Sequence, residues 1–188
     1  MLDIDNSLMI GKGANRICYQ HPADSGKCIK IPNSDSHKVQ TLECKYLQKL
    51  KSAGIPWRHM SQYYGEIETS RGKGYVYELI RDYDNKISKK LTDYLGIVPE
   101  EYIEFEAILH SLAELKIFLL DYKIIVRNLR PYNILLKRPS HQDCIAMLID
   151  NFGHHNSLPH LSDHIAYLAH KAVEKKWKNL ETRVNKLH

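Results

Sequence analysis

The sequence predicts an α+β protein of two lobes, strand-rich over residues 1–80 and helical over residues 81–188. Three observations carry this. Short apolar segments separated by Gly, Pro, Asp and Ser clusters fill the first part, with one helical stretch among them. Beyond residue 81 apolar residues recur at helical spacing. The composition, 43% hydrophobic and 26% charged over 188 residues, is that of an ordinary globular chain with apolar mass for one core or two small ones.

The elements follow in order. Leu8-Met9-Ile10 is short and apolar, and Ile17–Tyr19 follows a glycine-bearing turn. His21–Gly26 is dense in turn formers, and Lys27–Ile31 alternates after it until Pro32 stops the strand. Ser34 and Ser36 are candidate caps for a helix running to about Lys51. Strands at Tyr64–Thr69 and Tyr75–Ile80 flank the hairpin turn 70–74, and the polar stretch from Arg81 to Asn85 reads as a connector. Ser88 or Thr92 opens a short helix. Pro99 stands at a helix start, and from there to about Asp121 the residues Phe105, Ile108, Leu109, Leu112, Leu115 and Leu119 form one apolar stripe. Two short strands, Ile134–Leu136 and Ile145–Ile149, precede a helical tail from about Ser162. That tail places Ile165, Ala169, Ala172, Val173, Leu180 and Val184 on one side.

The bulk properties narrow the function classes. Residues 1–6 carry two aspartates and no basic cluster, unlike a secretory signal, and no apolar run approaches the ~20 residues of a membrane helix. The expected home is the cytoplasm. Cysteines 18, 28, 44 and 144 form no C-x-x-C pair and read as reduced thiols. The eleven histidines are scattered, and adjacent His154 and His155 do not share a helix face, so no histidine metal site is expected. The net charge is +5, with much of the excess at Lys171, Lys175, Lys176, Lys178, Arg183 and Lys186. These read as the wet face of an amphipathic helix; a nucleic-acid contact is the alternative, and no aromatic platform accompanies it.

Several residues point to chemistry. Gly11 and Gly13 let a hairpin backbone approach phosphate oxygens, although by themselves they read as a plain turn. Alternation puts Cys28 and Lys30 on one strand face and Ile29 and Ile31 on the other. On a helical wheel Glu43 lies among Val39, Leu47 and Leu50, where a carboxylate is costly unless paired. Lys30 is the natural partner. Downstream, Arg127-Asn128-Leu129-Arg130-Pro131-Tyr132-Asn133 is a polar loop between an apolar approach and an apolar strand. Asn133 is placed to offer an amide oxygen to a hard cation. Asp150-Asn151-Phe152-Gly153 ends a buried strand in a glycine-bearing turn, beyond what an Asx-type turn alone requires.

The order of glycine turn, strand lysine, helix glutamate, Arg-x-x-Arg-Pro-x-Asn loop and Asp-containing turn resembles that of protein kinases. The phrases Cys-Tyr-Gln-His-Pro (18–22), Lys-Cys-Ile-Lys-Ile (27–31), Gly-Tyr-Val-Tyr (74–77) and Pro-Tyr-Asn-Ile-Leu (131–135) look more closely like the bacterial PhoP regulatory network protein family, YrbL. The resemblance spans roughly Ile10 to Gly153. It implies a protein-kinase-like fold with a reduced helical C-lobe, binding ATP and Mg²⁺ between the lobes. It implies that Lys30, held by Glu43, reaches the phosphates, and that Asn133 and Asp150 hold Mg²⁺. Cys18 and Cys28 would roof the adenine, Glu78 to Ile80 would form the hinge, and Tyr77 would stand behind the pocket. Arg130 takes the place of a phosphate-contacting lysine, with a planar fork suited to bidentate grip.

Three departures qualify that expectation. Asn128 stands where kinases have the aspartate that accepts the substrate proton, and an amide cannot serve as that base. General-base catalysis supplies about 10²- to 10⁴-fold, so a slow enzyme, a different chemistry or a pseudokinase serving a protein partner all remain open. The turn carries an extra Asn151. Only about ten residues separate Gly153 from the last helix, little room for an activation segment. The expectation is therefore an ATP/Mg-binding protein of weak or atypical phosphotransferase or nucleotidyltransferase activity on an unassigned acceptor, with a regulatory binding module as the alternative.

Overall fold

Strand β1 (Met9–Lys12) opens the larger sheet after a single 3-10 turn at Asn6–Leu8. The computed structural model describes residues 1–33, 36–95, 103–153 and 162–187, with the side chains of 162–170, 172 and 185–187 left out. Contacts divide the chain into two compact units, one of Met1–Gly54 with Ser61–Ile80 and the other of Ile55–Met60 with Arg81–His188.

In the first unit, β2 (Arg16–Gln20), β3 (Lys27–Pro32), β4 (Tyr63–Thr69) and β5 (Gly72–Glu78) join β1 in an antiparallel sheet of order β1-β2-β3-β5-β4. Alternation does the sorting, since residues two apart share a face. Tyr19, Ile29, Ile31 and Val76 point to one side, where Ile4 completes a core flanked by Leu2, Leu8, Ile17 and Ile67. The first residues are tied down there. The Leu2 N–H donates to the Glu68 carbonyl at 2.8 Å, and the Arg71 guanidinium donates to the Ile4 carbonyl at 2.7 Å. Helix α1 (His37–Ser52) buries Gln40, Glu43, Cys44, Leu47 and Leu50. Ser36 occupies its N-cap position without a side-chain capping bond, and Ser34 lies outside the described residues.

The hairpin β4–β5 is tighter than the sequence suggests. Its turn is Ser70-Arg71, and Gly72, Lys73 and Gly74 already belong to β5. Gly72 takes φ +100, a conformation open to glycine, while the Thr69 hydroxyl donates to the Gly72 carbonyl at 2.6 Å. Gly74 is needed for a different reason: a Cβ there would meet Ile29 Cγ2 at 2.5 Å.

The second unit contains α2 (Leu91–Tyr94), α3 (Phe105–Asp121), the hairpin β6 (Ile134–Lys137) and β7 (Ile145–Leu148), and α4 (Ser162–Leu187). The Ile55–Met60 segment, expected with the first eighty residues, belongs here. The His59 carbonyl accepts the Leu148 N–H at 2.9 Å, and Met60 forms a bridge with Leu148, which gives β7 an edge partner. Neither Ser88 nor Thr92 opens α2. Ser88 is buried with its hydroxyl on Asp82 at 2.5 Å, Lys90 precedes the helix, and the Asp93 carboxylate accepts the Lys90 N–H at 3.0 Å. Asp82 also accepts the Arg138 N–H at 2.9 Å, so this carboxylate anchors the connector to the end of β6.

Helix α3 begins at Phe105, with Glu104 extended before it and Ile103 buried; Pro99 lies outside the described residues. Its inner face is Ile108, Ser111, Leu112, Leu115, Phe118 and Leu119, whereas Leu109 is exposed. The polar Ser111 is buried because its hydroxyl accepts the Ala146 N–H of β7 at 2.6 Å. Helix α4 buries Val173, Trp177, Leu180 and Val184. Lys116 of α3 pairs with Glu174 of α4 at 3.2 Å and sits 6.0 Å from the Trp177 ring centre. Among the described residues no helix is long and apolar enough to cross a membrane.

Candidate functional site

In the first unit the sheet face opposite the apolar core carries charge. Lys30 is 6% exposed and Glu43 of α1 is fully buried. The Lys30 ammonium lies 4.2 Å from the Tyr77 ring centre, and Gln40 of α1 donates its amide to the Tyr77 hydroxyl at 2.9 Å. Arg16 approaches the Glu43 carboxylate at 3.4 Å. Arg16, the first residue of β2, supplies a cation to the buried acid. On α1 it is Gln40, not Val39, that turns inward beside Glu43; Val39 is exposed. Burial, then the Glu43 charge, pushes the Tyr77 phenol well above its ordinary pKa, and burial raises the Cys44 thiol. These phenol and thiol groups stay neutral beside the ion pair.

Gly11, within β1, and Gly13, in the β1–β2 turn, are both exposed, and the Gly13 N–H donates to the Arg16 carbonyl at 2.9 Å. Asn33 pins this turn, its amide donating to the Ala14 carbonyl at 2.8 Å. Cys18 and Cys28 stand on the Lys30 side, since Cys18 is registered opposite Lys30. The Glu78 carbonyl accepts from the Ser61 hydroxyl at 3.0 Å and from the Cys28 thiol at 3.8 Å; Ile80 is buried.

In the second unit two loops are zipped together by their backbones. The Arg127 N–H donates to the Asn151 carbonyl at 2.7 Å, and the Gly153 N–H donates to the Ile125 carbonyl at 2.8 Å. The Arg127 guanidinium donates to the carbonyl of buried Phe152. Asn128, Arg130 and Asn133 follow Arg127 along the chain, and Asp150 precedes Asn151. Arg130 donates Nε to the Asn128 amide oxygen at 2.8 Å. A 3-10 turn at Pro131–Asn133 follows, and the Asn133 carbonyl accepts the Ile149 N–H at 3.0 Å, one residue before Asp150. The Asn133 side chain is buried with its amide nitrogen unpartnered. Asp150 accepts the Asn151 N–H at 2.7 Å, and the extra residue Asn151 adopts φ +70, which asparagine tolerates better than most residues.

The expected site residues thus fall into two groups: Lys30, Glu43, the two cysteines and Glu78–Ile80 in the first unit, and Asn128, Arg130, Asn133 and Asp150 in the second. The sequence reading missed Arg16, Gln40 and Arg127. It also assigned Lys176 to a solvated face. Lys171, Lys175, Lys178 and Arg183 are exposed, but half-buried Lys176 donates to the Val126 carbonyl, two residues before Asn128. Burial, then neighbouring Arg127, lowers its pKa. Only a three-dimensional fold could separate it from the lysines beside it. Among the described residues no group of three His, Cys, Asp or Glu is arranged to hold a metal, and His154 and His155 lie outside them.

Comparison with known proteins gives a consistent result over nearly the whole chain. Residues 2–185 match the family described as PhoP regulatory network protein YrbL. The proteins named "Uncharacterized protein YrbL" of Escherichia coli (strain K12) and Shigella flexneri are each 32% identical over 181 residues, covering 95% of this chain and 85% of theirs. On that family match and these two relatives, the chain belongs to the PhoP regulatory network protein YrbL family.

Proposed function

We propose that this protein binds ATP with Mg²⁺ and is a kinase-like phosphotransferase or nucleotidyltransferase of weak or atypical activity. The observation that carries the reading is the burial of Lys30 and Glu43 in one charged cluster, on a sheet face backed by α1. Desolvating two charged side chains costs several kcal/mol each before pairing, and an apolar pair would fill the space without that cost. A phosphate-binding role explains why the charges are there. Lys30 would meet the nucleotide phosphates, with Glu43 fixing the charge pattern behind it.

The residues of the second unit fit a hard cation in donor chemistry. Mg²⁺ takes oxygen ligands from one or two protein groups together with substrate phosphates, and Asp150 and Asn133 offer a carboxylate and an amide carbonyl. The unpartnered Asn133 amide nitrogen is a donor, which a phosphate oxygen rather than the cation would satisfy. When bound, Mg²⁺ would neutralise phosphate charge; the residues of this chain would orient the nucleotide.

The test is a thermal melt with and without ATP and MgCl₂. Nucleotide with Mg²⁺ is expected to raise the melting temperature, and Lys30→Met or Asp150→Ala to abolish the rise. A native protein indifferent to millimolar ATP would overturn the reading.

One observation favours a second reading, a pseudokinase presenting a surface to a protein partner. The Asn128 amide oxygen is occupied by Arg130, so the residue at the usual base position has a structural hydrogen bond and no basic group. Labelled-ATP turnover separates the two. Phosphate transfer by Asn128→Asp, with none by the native chain, favours the binding module.

A further inference from the structure

Strands β2 and β3 are registered with Cys18 opposite Lys30 and Gln20 opposite Cys28. Side chains opposite one another or two residues apart share a sheet face, so Cys18, Cys28 and Lys30 stand together. Cys18 and Cys28 are diagonal neighbours across the ladder, close enough for their thiols to interact. Cys28 is 4% exposed, and Cys18 is half-buried and closer to solvent. The Glu78 carbonyl lies 3.8 Å from the Cys28 sulfur. We propose that Cys18 and Cys28 form a two-coordinate site for a soft monovalent cation, copper(I).

Three considerations select that ion. Thiolates are soft ligands that favour copper(I). The two thiols are neighbours on one sheet face, so a cation of high sulfur affinity can bridge them without a new cavity. The exchange is balanced: one Cu⁺ and two thiols give a bis-thiolate complex and release two protons to solvent, with no electron transferred. Charge is the third consideration. Two thiolates and one Cu⁺ carry −1, and Lys30 and Arg16, less the charge of Glu43, supply +1, so the cluster totals zero and no charge is left uncompensated. A zinc ion requires about four ligands, and among the described residues no group of three His, Cys, Asp or Glu forms here or elsewhere. The proposal does not depend on nucleotide binding.

The experiment is an anaerobic titration of fully reduced protein with copper(I) against bicinchoninate, which strips copper from single thiols, read by native mass spectrometry. The native chain is expected to retain one copper with a deconvoluted mass gain of one copper less one proton, the offset of a monovalent ion. Cys18→Ser and Cys28→Ser are each expected to lose it, whereas Cys44→Ser and Cys144→Ser keep it. Retention of one copper by Cys18→Ser, or its loss in Cys44→Ser or Cys144→Ser, would overturn the assignment. So would failure of the native chain to hold copper. Cys18 is only half-buried, so its serine variant keeps the test decisive even where Cys28→Ser does not fold, and a melt of each variant verifies folding.

Discussion

His59 holds its imidazole between two partners that fix one tautomer. Its Nδ1 lies 3.0 Å from the Ala146 carbonyl and must carry the proton, while Nε2 accepts from Arg58 Nε at 3.2 Å. A second proton would face the Arg58 N–H. Burial, and then Arg58, lowers the pKa from its ordinary value near 6.5 against the raising pull of Ala146. The neutral ring is therefore favoured in the folded state. Its stabilisation is fully present above about pH 6.5 and is lost as pH falls through that value toward the depressed folded pKa. Melts between about pH 7.5 and 5 should show a loss of stability that His59→Gln lacks; equal slopes in both would refute it. At this scale the sequence was informative where a charge met a strict period. Strand alternation turned Lys30 inward and the helical wheel turned Glu43 inward. It was silent on the pairing of Arg16, whose long side chain reaches back from the start of β2, and on Gln40, whose burial depends on the Tyr77 hydroxyl.

Elements whose apolar pattern was complete were readable, and their ends were not. The tight hairpin escaped because Gly72 and Gly74 look like turn residues. One is required by φ and the other by the Ile29 side chain pressed against it. Gly74→Ala should therefore cost about 1–3 kcal/mol by overpacking, seen as a lower denaturant midpoint at unchanged slope. A midpoint equal to the native one would mean the sheet yields freely. The long helices show the same limit. Leu109 fits the stripe of α3 by spacing and is exposed, while Ser111 is buried because β7 needs its hydroxyl. On α4 the reading passed over Trp177, which is 3% exposed. Trp177→Ala should destabilise by about 3–5 kcal/mol, measured by urea unfolding, and a loss under about 1 kcal/mol would show that α4 packs far more loosely than its burial implies.

At the scale of the whole chain the α+β class and a change of character near residue 80 were legible, because strands and helices carry different periods. The exchange of Ile55–Met60 was not, since nothing in Ile-Pro-Trp-Arg-His-Met marks it for β7. Fragment 81–188, expressed alone, is expected to lack a cooperative melt, because β7 loses the edge partner at His59 and Met60. A sharp transition in the isolated 81–188 fragment would contradict this. The path of the polypeptide between the units carries a consequence for how this protein is made and altered. A ribosome delivers Ile55–Met60 long before Leu148 exists to receive it, so those residues must wait, unsheltered, while the stretch between them is made. An insertion, fusion or protease cut anywhere between positions 60 and 145 therefore stretches or severs a tether as well as a loop. The two halves cannot be shuffled independently by recombination.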